Sequence, residues 1–154
     1  MSDRLQRIGL AVLALTISPT ALWAAFSPRS FYSDFPGGGA TWVAVDGPYN
    51  EHLVRDVGAF SLALLVIAIW ALVTLSRPLV RATAAGFLLS GLVHLGYHVR
   101  NLQPYDGADQ IGVVAGLVVA PVVALLVLGG TMRPSTRSST PSSTSESTVP
   151  RACS

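Results

Sequence analysis

The sequence predicts an all-α fold, a bundle of four transmembrane helices with a long outer loop between the first helix and the second. Of its 154 residues, 51% are hydrophobic and only 12% are charged, whereas soluble domains are about 25% charged. The mean hydropathy is +0.54. The apolar residues are gathered into four stretches, at about residues 8–26, 58–75, 79–99 and 111–130. Each meets or approaches the roughly 20 residues that a helix needs to cross a bilayer.

Ionisable residues are almost absent from these stretches. Three of them contain none, and residues 79–99 contain only Arg81 near one end and His94 and His98 near the other. A soluble fold would have to bury all four segments on every side, and the chain has too little polar sequence to cover them. The four stretches therefore predict one transmembrane domain over residues 1–130, with the lipid bilayer as its surroundings.

The N-terminus also has features of a signal peptide, because Arg4 and Arg7 precede the first apolar stretch. That stretch is longer than the apolar region of a typical signal peptide, and residues 22–24 match a cleavage site poorly. An uncleaved first helix is therefore the favoured interpretation.

The arginines predict how the chain is threaded, since cytoplasmic loops carry an excess of positive residues. With the N-terminus inside, seven of the ten arginines lie on the cytoplasmic side, and the reverse threading leaves only three there. Six of the eight acidic residues then lie outside: Asp34, Asp46, Glu51, Asp56, Asp106 and Asp109. We therefore expect both termini in the cytoplasm.

The loops between the stretches differ greatly in length. Residues 76–78 form a very short connection, which predicts a tight helical hairpin with Pro78 in the first turn of the third helix. The first loop, about residues 27–47, is long and aromatic-rich, and residues 41–45 are predicted as a short strand or an extended segment. So many aromatic residues on one side favour an apolar cap over the outer end of the bundle, with an interfacial aromatic belt as the alternative.

Several sequence features restrict partners and cofactors. The ten arginines are scattered and lysine is absent, so no nucleic-acid partner is expected. Cys153 is the single cysteine and excludes an internal disulfide. It lies in residues 131–154, a Ser/Thr/Pro-rich segment expected to be a disordered cytoplasmic tail.

Small residues recur at every fourth position of the last span, namely Gly112, Gly116, Ala120 and Ala124. This stripe fits a monomeric bundle or a homo-oligomer, and the sequence does not choose between them.

Polar residues converge at the predicted outer side. Asn50 is a candidate N-cap for the second membrane helix. His52 and Asp56 share one face of that helix because they are four residues apart. His94 and His98 have the same spacing near the outer end of the third span. The threading therefore places all three histidines of the chain at one level of the membrane.

Three interpretations of this polar cluster remain open. In the first, the histidines are structural and anchor the loop through hydrogen bonds. In the second, a metal such as Zn or Fe, or a haem, is bound, with candidate ligands Glu51, His52, Asp56, His94 and His98. In the third, the cluster lines a pocket for a quinone, a lipid head group or another amphiphile, with His52 and Asp56 handling protons. The candidate residues for such a ligand are His52, Asp56, His94, Tyr97, His98 and Asn101.

Two segments carry a resemblance to known proteins. Residues 47–58 read GPYNEHLVRDVG, and residues 94–102 follow the pattern His94-x-x-Tyr97-His98-x-x-Asn101-Leu102. These segments resemble a set of uncharacterised four-helix membrane proteins from actinobacteria, over about residues 31–130. The layout is similar to that of the DoxX-like group of small membrane proteins. The resemblance implies a bacterial plasma-membrane protein. Since some DoxX-like proteins are associated with quinone-linked or redox-stress complexes, it also favours the amphiphile interpretation, but it assigns no catalytic residue.

The sequence therefore predicts an integral membrane protein whose outer polar cluster is structural or binds a small ligand. The alternative is a redox-linked membrane subunit that binds a metal, haem or quinone through its histidines. Either function is compatible with a homo-oligomer or with a membrane partner subunit. No enzymatic activity is assigned, because the chain contains none of the common catalytic motifs.

Overall fold

The computed structural model describes residues 2–132 and confirms the all-α, four-helix fold. Its helices are α1 (Asp3–Phe26), α2 (Pro28–Asp34), α3 (Glu51–Thr74), α4 (Arg77–Arg100) and α5 (Gly107–Met132). A small antiparallel hairpin, β1 (Pro36–Gly37) and β2 (Ala40–Thr41), and a 3-10 turn (Ala44–Asp46) lie between α2 and α3. From residue 133 on, the predicted tail lies outside the described residues.

The four long helices, α1, α3, α4 and α5, are long and apolar enough to cross a membrane. A helix of 24 residues is roughly 36 Å long at about 1.5 Å per residue, and the hydrocarbon core is about 30 Å thick. The chain is therefore a multi-pass integral membrane protein.

All four long helices begin before the apolar stretches that predicted them. α1 starts at Asp3 and α3 starts at Glu51, ahead of the predicted residues 8 and 58. Their N-termini are extended by capping: the Ser2 side chain accepts a hydrogen bond from the Leu5 N–H, and Asn50 accepts one from the Leu53 N–H. The predicted cap at Asn50 is thus confirmed, and the first turns of α3 are polar.

The connection between α3 and α4 is as tight as predicted. Leu75 ends α3 in the left-handed conformation (φ 49°), Ser76 follows, and Pro78 lies in the first turn of α4. The N-terminus of α1 and the C-terminus of α5 lie at this same end of the antiparallel bundle, which we call the hairpin end. The opposite end carries residues 27–50 and 101–106, and we call it the cap end.

The bundle consists of two closely packed helix pairs, α1 with α3 and α4 with α5. In the first pair the backbones nearly touch, because a Cβ at Gly58 would overlap the backbone of Ala25. In the second pair a Cβ at Gly91 would lie 3.0 Å from the Pro121 ring. Close packing of small residues is how helices associate where lipid surrounds them.

Two buried layers join the pairs in the half of the bundle nearer the hairpin end. The layer next to that end contains Leu10, Ala71, Val80, Ala84 and Val127. The next contains Leu13, Ala14, Ala68, Phe87 and Ala124. Ala124, one residue of the predicted small-residue stripe on α5, lies in this second layer. Gly112 instead faces the Trp42 ring, and Gly116 is exposed with no atom close to where a Cβ would be.

The segment between α1 and α3 packs as an apolar cap, as predicted. Phe31 of α2 is buried with Ala24 of α1 and Val54 of α3, and partly buried aromatic residues surround them. The predicted strand at residues 41–45 is reduced to the short β2, because the 3-10 turn begins at Ala44. Gly37 at the end of β1 and the two glycines between the strands, Gly38 and Gly39, all have positive φ, a turn geometry that favours glycine.

Candidate functional site

A hydrogen-bonded network of four side chains lies at the cap end and joins three segments of the chain. His94 and His98 come from the last turns of α4, Tyr105 from the connection to α5, and Asp46 from the 3-10 turn. The two Nε2 atoms of the histidines are 3.0 Å apart. The Tyr105 hydroxyl lies 3.3 Å from His98 Nδ1 and 2.9 Å from Asp46 Oδ2. We call these four residues the polar network.

Local structure positions each member. The spacing of four residues stacks the two histidines on adjacent turns, with ring centroids 4.8 Å apart. The loop that carries Tyr105 is held by Gln110 of α5, whose Nε2 donates to the carbonyls of Leu102 and Tyr105. Tyr105 itself is only 5% exposed. Burial and the Gln110 hydrogen bonds therefore hold in place the Tyr105 hydroxyl, which links α4 to the cap.

One set of proton positions satisfies every contact in the polar network. The Tyr105 hydroxyl has one proton and donates it to Asp46, and its oxygen accepts from His98 Nδ1–H. His98 Nε2 then accepts from His94 Nε2–H. The Trp42 carbonyl, 3.0 Å from the Tyr105 hydroxyl, is a second acceptor for the same proton. The chain of hydrogen bonds ends at His94 Nδ1, for which the described residues provide no partner.

The charge of the network is concentrated at Asp46. Burial, together with the hydrogen bond to Asp46 and the negative charge of its carboxylate, raises the pKa of Tyr105. The phenol therefore stays protonated at neutral pH and remains a hydrogen-bond donor. Trp42 Nε1 donates to Asp109 Oδ1 of α5 at 2.9 Å, which fixes the cap segment next to the network.

Accessibility changes along the network. His98 is buried, whereas the Asp46 side chain is 25% exposed at the cap surface. His94 is also exposed, although it lies two turns beyond the buried Phe87 and on the same face of α4. This face of α4 is thus buried at Phe87 and exposed at Ser90 and His94. We call the exposed surface around His94 and Ser90 the His94 opening.

The structure divides the predicted site residues into two sets. His52 and Asp56 form their own pair, with Nδ1 and Oδ2 2.9 Å apart and side chains 84% and 49% exposed. Glu51 pairs instead with Arg55. Within residues 2–132, no group of three or more His, Cys, Asp or Glu side chains is arranged to hold a metal ion. The five predicted metal ligands are therefore not brought together.

The other predicted residues lie beside the network. Tyr97 contacts the His98 ring edge-on, with centroids 5.3 Å apart, and its own side chain is exposed. Asn101 turns back onto α4 and donates to the Tyr97 carbonyl. Tyr97 is thus a neighbour of the network, and Asn101 has a capping role at the end of the helix.

Sequence reasoning missed two members of the network, Asp46 and Tyr105. They are 59 positions apart, and the sequence shows Asp46 only as one of six acidic residues on the predicted outer side. Tyr105 is seen only as one of many aromatic residues on the outer side. A buried tyrosine requires a partner for its hydroxyl, but the partner could not be identified without the fold.

Comparisons of the chain with protein-family models, with curated proteins and with solved structures give no match. The DoxX-like likeness gains no support from them, and the resemblance to the actinobacterial proteins stays a prediction. The fold itself defines the class: a multi-pass membrane protein with four candidate spanning helices.

Proposed function

We propose that this membrane protein binds an amphiphile at the His94 opening, with the oxygen-bearing head group hydrogen-bonded to His94. The observation that carries the proposal is the position of His94. An ionisable residue inside a membrane helix normally faces the bundle interior and has a partner there. His94 lies on the same face of α4 as the buried Phe87 and uses Nε2 to contact His98, but its side chain is exposed and Nδ1 remains for a ligand.

The surroundings of the opening suit an amphiphile better than a water-soluble ligand. Leu89 and Val93, on either side of Ser90 in the sequence of α4, are 69% and 68% exposed. An apolar tail would lie against such residues while the head group reaches His94. Binding sites that are mostly apolar with a few convergent polar groups are the usual pattern for small ligands. A quinone and a lipid share the required chemistry, a carbonyl, hydroxyl or phosphate oxygen on an apolar tail.

The distribution of arginines supports an extracytoplasmic position for the opening. The hairpin end carries Arg4, Arg7, Arg77 and Arg81 of the described residues, and positive residues concentrate on the cytoplasmic side. We therefore place the cap end, and the opening below it, on the outer half of the membrane.

The metal and haem interpretations receive less support than the amphiphile interpretation. His52 pairs with Asp56 and Glu51 pairs with Arg55, both on exposed turns of α3 and apart from the polar network. His94 and His98 direct Nε2 atoms at each other rather than at a common point outside. This geometry suits a hydrogen-bonded pair of neutral rings.

A binding measurement on protein in lipid nanodiscs tests the proposal. A short-chain quinone quenches tryptophan fluorescence, and Trp23 and Trp42 lie at the cap end. Competition with a lysophospholipid then separates the two sources of head group. We expect His94→Leu, which remains compatible with a membrane helix, to weaken binding about tenfold because one hydrogen bond to the head group is lost.

His52→Leu is the matched control, since His52 is paired with Asp56 on the exposed first turns of α3, and it should bind as the wild type does. Equal binding by the wild type and His94→Leu would contradict the proposal. So would the absence of binding by both probes to the wild type.

A further inference from the structure

We propose that the polar network carries a proton between the ligand at His94 and the water at the cap end. This inference rests on the proposed function and narrows the ligand class to amphiphiles with an acidic hydroxyl, such as an enol or a phenol. The proposal is based on an unbroken series of hydrogen-bond contacts. His94 contacts His98 at 3.0 Å, His98 contacts Tyr105 at 3.3 Å, and Tyr105 contacts Asp46 at 2.9 Å. The chain has an exposed group at each end and buried groups between them.

The proton transfer balances at every link. The ligand O–H bond breaks and a bond forms at His94 Nδ1, while His94 Nε2 gives its proton to His98 Nε2. His98 Nδ1 gives its proton to the Tyr105 oxygen, and the Tyr105 hydroxyl proton passes to Asp46 Oδ2. Asp46 then releases a proton to water, and the ligand remains as an anion beside the histidines. No electron is transferred, so neither an oxidant nor a reductant is needed.

Each interior member can both accept and donate, which a relay requires. The two nitrogens of an imidazole accept on one side and donate on the other. The His98 ring meets this condition because its two nitrogens have different partners, His94 and Tyr105. The Tyr105 hydroxyl accepts from His98 and donates to Asp46. It stays protonated between transfers because burial and Asp46 hold its proton.

The groups around the network are consistent with transfer toward the cap. Asp46 from the 3-10 turn is the carboxylate nearest to the histidines, 4.0 Å from His98 Nε2. Tyr97 of α4 contacts the His98 ring but is neutral, and Asp109 of α5 is paired with the Trp42 indole. Asp46 is therefore the anionic end of the path among the described residues.

The path does not continue toward the hairpin end. Below His94 the next layer is apolar and buried, with Leu13, Ala68, Phe87 and Ala124. None of these four side chains can accept a proton. The structure thus assigns proton exchange between the ligand and one side of the membrane only, without conduction across it.

The test uses a 2-hydroxy-3-alkyl-1,4-naphthoquinone as the probe, because its visible absorption reports whether its enol is ionised. Its 2-methoxy derivative has the same ring and tail but no acidic proton. Both are added to protein in weakly buffered nanodiscs, and stopped-flow absorbance of the probe is recorded beside that of a pH indicator. In the wild type, ionisation of the hydroxy probe and release of the proton should follow the same time course, and the methoxy probe should bind without release.

Two variants interrupt the path. Tyr105→Phe removes the hydroxyl, and Asp46→Asn keeps an oxygen that accepts from Tyr105 but cannot take up the proton. Each should leave the affinity for the methoxy probe within about twofold and delay proton release at least about tenfold behind binding. Tyr49→Phe is the matched control, because the Tyr49 hydroxyl is buried without a hydrogen-bond partner among residues 2–132, and the variant should behave as the wild type does.

The outcomes separate this inference from the proposed function. Binding of both probes with unchanged proton release in Asp46→Asn and Tyr105→Phe would overturn the relay and leave the binding site intact. Binding of the hydroxy probe without ionisation in the wild type would do the same. Failure of the wild type to bind either probe would overturn both proposals.

Discussion

Three arginine side chains each donate a hydrogen bond to a carbonyl near the C-terminal end of a neighbouring helix. Arg7 of α1 donates to the Leu72 carbonyl of α3 at 2.6 Å. Arg55 of α3 donates to the Ala25 carbonyl of α1 at 2.9 Å, and Arg81 of α4 to the Thr131 carbonyl of α5 at 2.7 Å. The last carbonyls of a helix have no partner within it, and positive charge is favourable there. Each arginine therefore caps a neighbouring helix near the edge of the membrane.

Replacing Arg55 tests the contribution of such a cap. Arg55→Met keeps the apolar stem and removes the donor, so the Ala25 carbonyl loses a charge-assisted hydrogen bond. We expect the free energy of unfolding to fall by about 1 kcal/mol, measured by titration with SDS in mixed micelles. Arg77→Met is the control, because Arg77 makes no hydrogen bond or ion pair with the rest of residues 2–132, and a similar loss there would contradict the capping role.

Tyr105 provides a second prediction at the scale of one residue. Tyr105→Phe leaves the Asp46 carboxylate and the buried His98 Nδ1 without their common partner, and we expect a loss of about 1–3 kcal/mol in the free energy of unfolding. Tyr97→Phe changes an exposed side chain and should cost less than the Tyr105 variant in the same SDS titration. Equal losses for the two variants would show that the Tyr105 hydroxyl does not stabilise the cap.

The stability that Tyr105 provides should also depend on pH. An unfolded tyrosine ionises near pH 10, while the pKa of Tyr105 in the folded protein is raised. The folded state therefore holds this proton more tightly, so the contribution is complete below about pH 10 and is lost as the pH rises further. Above that pH, unfolding measurements should show a steeper loss for the wild type than for Tyr105→Phe, and parallel curves would contradict the raised pKa.

At the scale of helices, the close approach of α1 and α3 depends on one glycine. A Cβ at Gly58 would overlap the backbone of Ala25, which cannot move away as a flexible side chain does. Gly58→Ala should therefore destabilise the protein by about 1–3 kcal/mol, despite the better helix propensity of alanine. Gly129→Ala, where nothing lies within 4 Å of the added methyl group, should be neutral or slightly stabilising. The helical circular dichroism of both variants during SDS titration gives the comparison, and equal stability would refute the close contact.

The sequence predicted the helices well because lipid imposes a strong constraint on them. An apolar stretch of about 20 residues has few alternatives to a spanning helix. Three of the four stretches lie within one helix each, and residues 58–75 extend only one residue beyond the end of α3. The prediction was weaker in the first loop, where no apolar periodicity indicates α2 or the short hairpin. Pro28 begins α2 and Phe31 anchors it in the core, but these contacts depend on α1 and α3 being paired already.

The candidate site was also predictable only in part, because most of its contacts depend on how the helices and the cap pack together. The i, i+4 spacing of His94 and His98 is a local feature, and the structure retains it as a direct contact. The same spacing pairs His52 with Asp56 on α3. Whether two such pairs meet depends on the rotation and separation of α3 and α4, which the sequence does not encode locally. In this structure the cap brings Asp46 close to the histidine pair of α4, and the pair on α3 stays separate.

At the scale of the whole molecule, the two ends of the bundle differ in the kinds of residue that they bury and expose. The hairpin end is closed by buried apolar layers and ends in arginines, while the cap end carries the polar network and an aromatic cover. A ligand that enters from the bilayer reaches the network without passing the apolar layers. The orientation of the bundle therefore decides from which side of the membrane the network exchanges protons.

Cysteine labelling of intact cells measures this orientation. In a Cys153→Ser background, Thr41→Cys places a thiol at the exposed cap end and Ser76→Cys places one at the hairpin end. Thr41 is a better site than the neighbouring Gly38, whose φ of +68° disfavours any side chain. Because the arginines predict a cytoplasmic hairpin end, a membrane-impermeant maleimide should label Thr41→Cys in intact cells and Ser76→Cys only after lysis. The reverse pattern would place Asp46 in the cytoplasm, and the polar network would then take up or release protons there.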